Sequence, residues 1–145
     1  MIHTDAIEAF PEPEFIEGGP PTADDCTRAM LAHLGGFFTG FVLPGIVMFT
    51  QRDRSPFVVR HARESVNHQI MRVILVFLST VLAAGASALF YAAGAHAAFV
   101  PLPGLAVLIL LLLLLGVIQL FLVIRACMSA AKGQEFRYPL TIRLI

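Results

Sequence analysis

The chain has 145 residues, of which 57% are hydrophobic and only 14% charged, against about 25% charged in ordinary soluble domains. A soluble globule needs a charged surface, so this composition predicts a small integral membrane protein. The net charge is zero and the chain has no uniformly basic domain, which argues against nucleic-acid binding.

The N-terminal stretch is acidic and rich in proline and glycine. Seven of the ten acidic residues precede residue 26, namely Asp5, Glu8, Glu12, Glu14, Glu17, Asp24 and Asp25. This pattern predicts a disordered acidic tail over 1–25, followed by a single helical membrane domain over 26–145. The tail has no apolar core of the kind that a signal peptide needs. Thr22 or Asp24 is suited to cap a helix that begins near Asp25.

The first apolar stretch, residues 31–50, has no formal charge over 20 residues, about the minimum for a spanning helix. Gly36 and Gly40 form a small-xxx-small pair that allows another helix to approach closely. Pro44 removes a backbone hydrogen bond and should kink or break the helix. We therefore predict a first membrane span broken by Gly and Pro, with a re-entrant segment as the alternative.

A polar stretch separates this segment from the next apolar one. Ser55 followed by Pro56 is typical of a helix start, with serine as the N-cap. Residues 56–70 then show an amphipathic pattern, with polar side chains at His61, Glu64, Asn67 and His68. This predicts an interfacial amphipathic helix, or the first turns of the following span.

Two further spans are predicted at about 73–95 and 104–124. On the first of these, small residues recur every four positions and predict tight helix packing, at Ser79, Ala83 and Ser87. Gln119 is the one strongly polar side chain in the last span and is expected to form an interhelical hydrogen bond. A basic C-terminal segment, 125–145, follows, and Gly133 is suited to end the last helix.

Basic residues collect in 51–72 and in the C-terminal segment. Because cytoplasmic loops are enriched in Lys and Arg, three spans would place both regions in the cytoplasm and the acidic tail outside. A re-entrant first segment would instead keep the tail in the cytoplasm. The predicted location is a bacterial cytoplasmic membrane, crossed several times.

Three pieces of the chain resemble a known family: Leu31-Ala-His-Leu34, Ser55-Pro-Phe-Val-Val-Arg-His-Ala-Arg-Glu64 with Ser-Val-Asn-His-Gln-Ile70, and Ala131-Lys-Gly-Gln-Glu-Phe-Arg-Tyr-Pro-Leu-Thr-Ile-Arg143. They are similar to small bacterial membrane proteins of unknown function that are distantly related to Tic twenty, the chloroplast inner-envelope import component. The resemblance implies a compact all-helical membrane domain and, by analogy, protein translocation. The positions it marks are His61, Ala62, Glu64, Asn67, Gln69, Gly133, Arg137, Tyr138, Pro139 and Leu140. His68 departs from the pattern, which more usually has an aromatic residue there.

The polar stretch allows two chemical interpretations. His61, Glu64 and His68 can share one helix face and could hold a metal ion, although one helix rarely supplies every ligand. The preferred interpretation is a structural and interaction cluster of polar side chains, His61, Glu64, Asn67, Gln69, Arg137 and Tyr138. In it, Glu64 pairs with Arg137 or Arg125 and clamps the C-terminal segment onto the 55–70 helix. No cofactor is expected, and Cys26 and Cys127 are expected to be free thiols.

Three functional hypotheses follow from these features. The first is a non-enzymatic subunit or assembly factor of a membrane complex, with the bilayer and either other membrane helices or a second copy as partners. The second is an oligomeric channel or translocation component lined by His33, Thr39 and Gln119. The third is a metal-dependent membrane enzyme that uses His61, Glu64 and His68.

Overall fold

The computed structural model describes residues 19–94, 99–139 and 141–144. Over these residues the chain forms four helices and no strand. They are α1 (Ala23–Thr39), α2 (Val42–Thr50), α3 (Pro56–Ala92) and α4 (Pro101–Ala131). The all-α prediction is therefore confirmed. Most of the predicted acidic tail, residues 1–18, lies outside the described residues.

A capping box starts α1, as the sequence predicts. The Thr22 hydroxyl accepts a hydrogen bond from the backbone N–H of Asp25 (3.1 Å), and the Asp25 carboxylate accepts one from the backbone N–H of Thr22 (3.0 Å). Two of the four N–H groups that a helix start leaves unpaired are satisfied in this way. The hydrogen bond from Thr22 also lowers the pKa of Asp25, which keeps a negative charge at the positive end of the helix dipole.

The prediction of three membrane spans is wrong, because 31–50 does not form one helix. The chain turns at Gly40, whose φ of 65° lies in the left-handed region that favours glycine. The Thr39 hydroxyl donates to the carbonyl of Gly35 and accepts from the backbone N–H of Leu43, which covers the break. The resulting helices have 17 and 9 residues, fewer than the roughly 20 that a span requires.

The third helix shows that 56–70 is not a separate interfacial helix but, as in the alternative prediction, the first turns of the following span. It runs for 37 residues from Pro56 to Ala92, so the amphipathic segment 56–70 and the apolar span that follows are one continuous helix. Ser55 is its N-cap and accepts from the backbone N–H of Val58 (3.4 Å), as predicted. The amphipathic segment and the uncharged segment have different sequence patterns, but both continue the same backbone hydrogen-bonding pattern of one helix.

Helices α3 and α4 form an antiparallel pair. Near one end Gly104 lies directly against the Ser87 hydroxyl and the Ala83 backbone, and at the other end His68 contacts Gln119. The small residues of α3 thus pack against α4 within this chain. Both helices are long and apolar enough to cross a membrane, judged by length and composition, and no other helix of the described residues is.

The remaining elements surround the polar N-terminal half of α3. Helices α1 and α2 pack against it, and α1 also packs against the end of α4. Small side chains without solvent exposure make these contacts tight, namely Ala29, Ala32, Ala62, Ala126 and Ala130. After α4, Gly133 adopts a φ of 67° and turns the chain back, so that the C-terminal segment crosses the same polar half of α3.

Candidate functional site: a buried polar cluster

Four side chains form what we term the histidine–tyrosine cluster: His33, His61, His68 and Tyr138. His33 Nε2 lies 2.8 Å from His61 Nδ1, and His33 Nδ1 lies 3.1 Å from the Tyr138 hydroxyl. Tyr138 also stacks face to face on His68, with ring centroids 3.9 Å apart. The cluster joins α1, α3 and the C-terminal segment, and His33 within it has no solvent exposure.

Burial sets the protonation of this cluster. It lowers the pKa of His33 to about 3, with a smaller contribution from the adjacent His61 and His68. It also raises the pKa of Tyr138 well above its usual range. One arrangement gives each hydrogen bond a single proton: Tyr138 donates to His33 Nδ1, and His33 Nε2–H donates to His61 Nδ1.

Gln119 extends the cluster to α4. Its Oε1 accepts from His68 Nε2 at 2.7 Å, and the side chain is almost completely buried. The interhelical hydrogen bond expected for Gln119 is therefore present in the structure, with His68 as its partner. The Nε2 amide of Gln119 has no hydrogen-bond partner among the described residues.

Glu64 holds the C-terminal segment to α3, in what we term the Glu64 clamp. Its carboxylate accepts from the Arg143 side chain (3.0 Å) and from the backbone N–H of Tyr138 (3.4 Å). Nearby, Asn67 Oδ1 accepts from the backbone N–H of Leu144 (3.1 Å). The partner of Glu64 is therefore Arg143 and not, as predicted, Arg137 or Arg125. Arg137 and Arg125 are exposed, and neither forms an ion pair with a described residue.

Gly36 explains how α1 reaches this face of α3. A Cβ atom at Gly36 would lie 2.5 Å from the Ser65 hydroxyl and 3.0 Å from Gln69 Nε2, so the contact requires glycine. Ser65 in turn donates to the carbonyl of Ala32 (3.0 Å). Gly40, the other half of the predicted pair, has open space around it and serves the turn between α1 and α2.

The proposed metal ligands turn toward different partners. His61 faces His33, His68 bonds Gln119, and Glu64 bonds the C-terminal segment. Within 19–94, 99–139 and 141–144, no group of three or more His, Cys, Asp or Glu side chains is arranged to hold a metal ion. Two of the proposed channel-lining residues, His33 and Gln119, are buried, and each forms a hydrogen bond within the chain.

Sequence reasoning missed two contacts of this site. The bond between His33 and Tyr138 joins residues 105 positions apart, and no local pattern connects them. The other is the bond between Glu64 and Arg143, because the sequence favours Arg137 or Arg125 and no local pattern selects Arg143. The closest local signal is Gly35-Gly36 beside His33, which indicates a helix face in close contact with another helix.

Comparison with known proteins identifies the family. The model of the MamF/MmsF family, described as the magnetosome magnetite crystal formation protein family, matches residues 24–145. This chain belongs to that family. The match covers the four helices and the C-terminal segment of this MamF/MmsF protein, and it overturns the resemblance to the Tic twenty relatives, which was wrong. No curated protein and no solved structure matches the chain.

Proposed function

We propose that this protein acts in magnetite crystal formation as a non-enzymatic integral membrane protein, a subunit or assembly factor of a complex in a bacterial magnetosome membrane. The observation that carries the proposal is the family match over residues 24–145. The two apolar helices, α3 and α4, support membrane insertion. Their exposed apolar side chains, such as Phe77, Leu110 and Leu113, offer surface to lipid and to other membrane helices.

The arrangement of the polar site supports a structural role. Several polar atoms of the histidine–tyrosine cluster bond one another, and Glu64 bonds the Arg143 side chain and the Tyr138 backbone. Such contacts fix the C-terminal segment on α3 and define one surface outside the membrane. We propose that this surface and the apolar faces of α3 and α4 together bind the other members of the complex.

The proposed topology is a helical hairpin with both ends on the cytoplasmic side. Two spans return the chain to the side where it entered, and the bases around Arg52 and those of the C-terminal segment favour the cytoplasm. A reporter active only in the cytoplasm, fused after residue 145, should therefore be active. A reporter inserted in the loop between α3 and α4 should be silent, and the opposite pattern would reject this topology.

Purification of the tagged protein from its own magnetosome membranes in mild detergent tests the function. A stoichiometric partner in mass spectrometry is the expected result, together with altered magnetite crystals when the gene is deleted. Elution of the protein alone would reject the subunit role, and unaltered crystals would reject the role in magnetite formation. Stoichiometric metal that is lost in His61→Ala would favour the enzyme hypothesis.

A further inference from the structure

A cavity at the membrane boundary is not explained by the proposed function. It lies between α1, α3 and α4, has a volume of about 450 Å³, and is walled mainly by apolar side chains, including Phe37, Val76, Leu112 and Leu115. Two polar side chains, Arg72 and Gln119, also line it. The cavity is within the size range of sites that bind small molecules.

Within the described part of the chain, neither the Arg72 guanidinium nor the Gln119 amide N–H group has an acceptor. Arg72 is partly buried and forms no ion pair with a described residue. Gln119 is almost completely buried, and its Nε2 amide has no acceptor in the described part of the chain. An unpaired amide in this position is costly, whereas an anionic oxygen at this end of the cavity would accept from both side chains.

The position of Arg72 limits the chemistry of the ligand. On α3 it is the last charged residue before the apolar span, about one helical turn beyond His68, which bonds Gln119 on α4. Arginine side chains at the end of an apolar span typically reach the level of the lipid phosphates, and most of the other side chains that line the cavity are apolar. A ligand that suits both parts carries an anionic head and an apolar chain.

We propose that this cavity binds one anionic phospholipid. Its phosphate accepts from the Arg72 guanidinium and the Gln119 amide, and one acyl chain lies along Val76, Leu112 and Leu115 beside Gly116. The proposed lipid site uses residues separate from the Glu64 clamp, so lipid binding does not depend on the proposed complex.

Binding of phosphatidylglycerol to the full purified chain in maltoside detergent, counted by native mass spectrometry, tests the site. One lipid per chain is expected, and phosphatidylcholine should bind about tenfold more weakly because its head has no net charge. Arg72→Gln should weaken phosphatidylglycerol binding about tenfold, and Arg72→Lys should restore part of it. Arg125→Gln is the matched control, since Arg125 is exposed on α4 and does not line the cavity.

A second pair of variants tests the apolar part. Gly116 lines the cavity and has open space at its Cβ position, so Gly116→Leu is chosen to place a side chain in the cavity. Gly85→Leu is the control, because Gly85 also has open space but lies outside the cavity. We expect lipid binding to be lost in the first variant and retained in the second, with equal helix content by circular dichroism. Unchanged binding in Arg72→Gln or Gly116→Leu would overturn the proposal, as would displacement of the lipid by inorganic phosphate.

Discussion

Removal of a single hydroxyl group tests the histidine–tyrosine cluster most directly. Tyr138→Phe keeps the stacked ring on His68 but leaves His33 Nδ1 without its partner at 3.1 Å. Tyr138 is only 3% exposed and His33 is not exposed, so water does not replace the lost bond. An unsatisfied buried acceptor costs about 1–3 kcal/mol. For a chain of this size that corresponds to a lower thermal midpoint by roughly 3–10 °C.

The assay is thermal unfolding of the purified protein in detergent, followed by circular dichroism. Tyr91→Phe is the matched control, because Tyr91 is 65% exposed and its hydroxyl makes no hydrogen bond to a described residue. A double-mutant cycle with His33→Leu isolates the pair, and a coupling free energy of about 1 kcal/mol or more is expected. The reasoning is refuted if Tyr138→Phe unfolds at the same temperature as Tyr91→Phe and the coupling is zero.

The remaining predictions use the same unfolding assay. Since the pKa of His33 is about 3 in the folded protein against 6.5 in an unfolded chain, the unfolded state binds more protons between these values. Stability should fall below pH 6.5, by about 2 kcal/mol at pH 5 for this group, and His33→Leu should reduce that fall. Glu64→Gln should lower the thermal midpoint more than Glu135→Gln, because the Arg60–Glu135 ion pair is more exposed than the Arg143–Glu64 pair. Equal midpoints in the two variants would count against the Glu64 clamp. Gly104→Ala should destabilise the α3–α4 pair by about 1–3 kcal/mol, whereas Gly85→Ala should be neutral or stabilising.

Local features of the fold were predictable because their causes are local. Thr22 and Ser55 cap helices through hydrogen bonds to residues three positions away, and both starts follow from the sequence. The first span failed for a different reason. The absence of charge in 31–50 satisfied a hydropathy criterion, but the positive φ at Gly40 divides the segment into two helices too short to cross a bilayer.

The candidate site was predictable only in part. The sequence indicated which polar residues share the face of α3, because helical spacing determines this. It did not indicate which base reaches Glu64, since the path of the C-terminal segment after Gly133 decides that choice. The family was missed as well: the pieces taken for a likeness to Tic twenty relatives lie within the region that matches the MamF/MmsF family.

The length of α3 explains why the polar site exists at all. At about 1.5 Å per residue its 37 residues extend roughly 55 Å, whereas a bilayer core of about 30 Å takes up some 20 of them. Nearly half of the helix therefore projects beyond the hydrocarbon, and the side chains of His61, Asn67, His68 and Gln69 are buried there. Buried polar groups need partners, and α1 and the C-terminal segment supply one each for His61 and Asn67. Loss of the C-terminal segment should thus expose His33 and Asn67 and loosen α1 while leaving the α3–α4 pair intact, which hydrogen exchange on a chain truncated after Gly133 would measure.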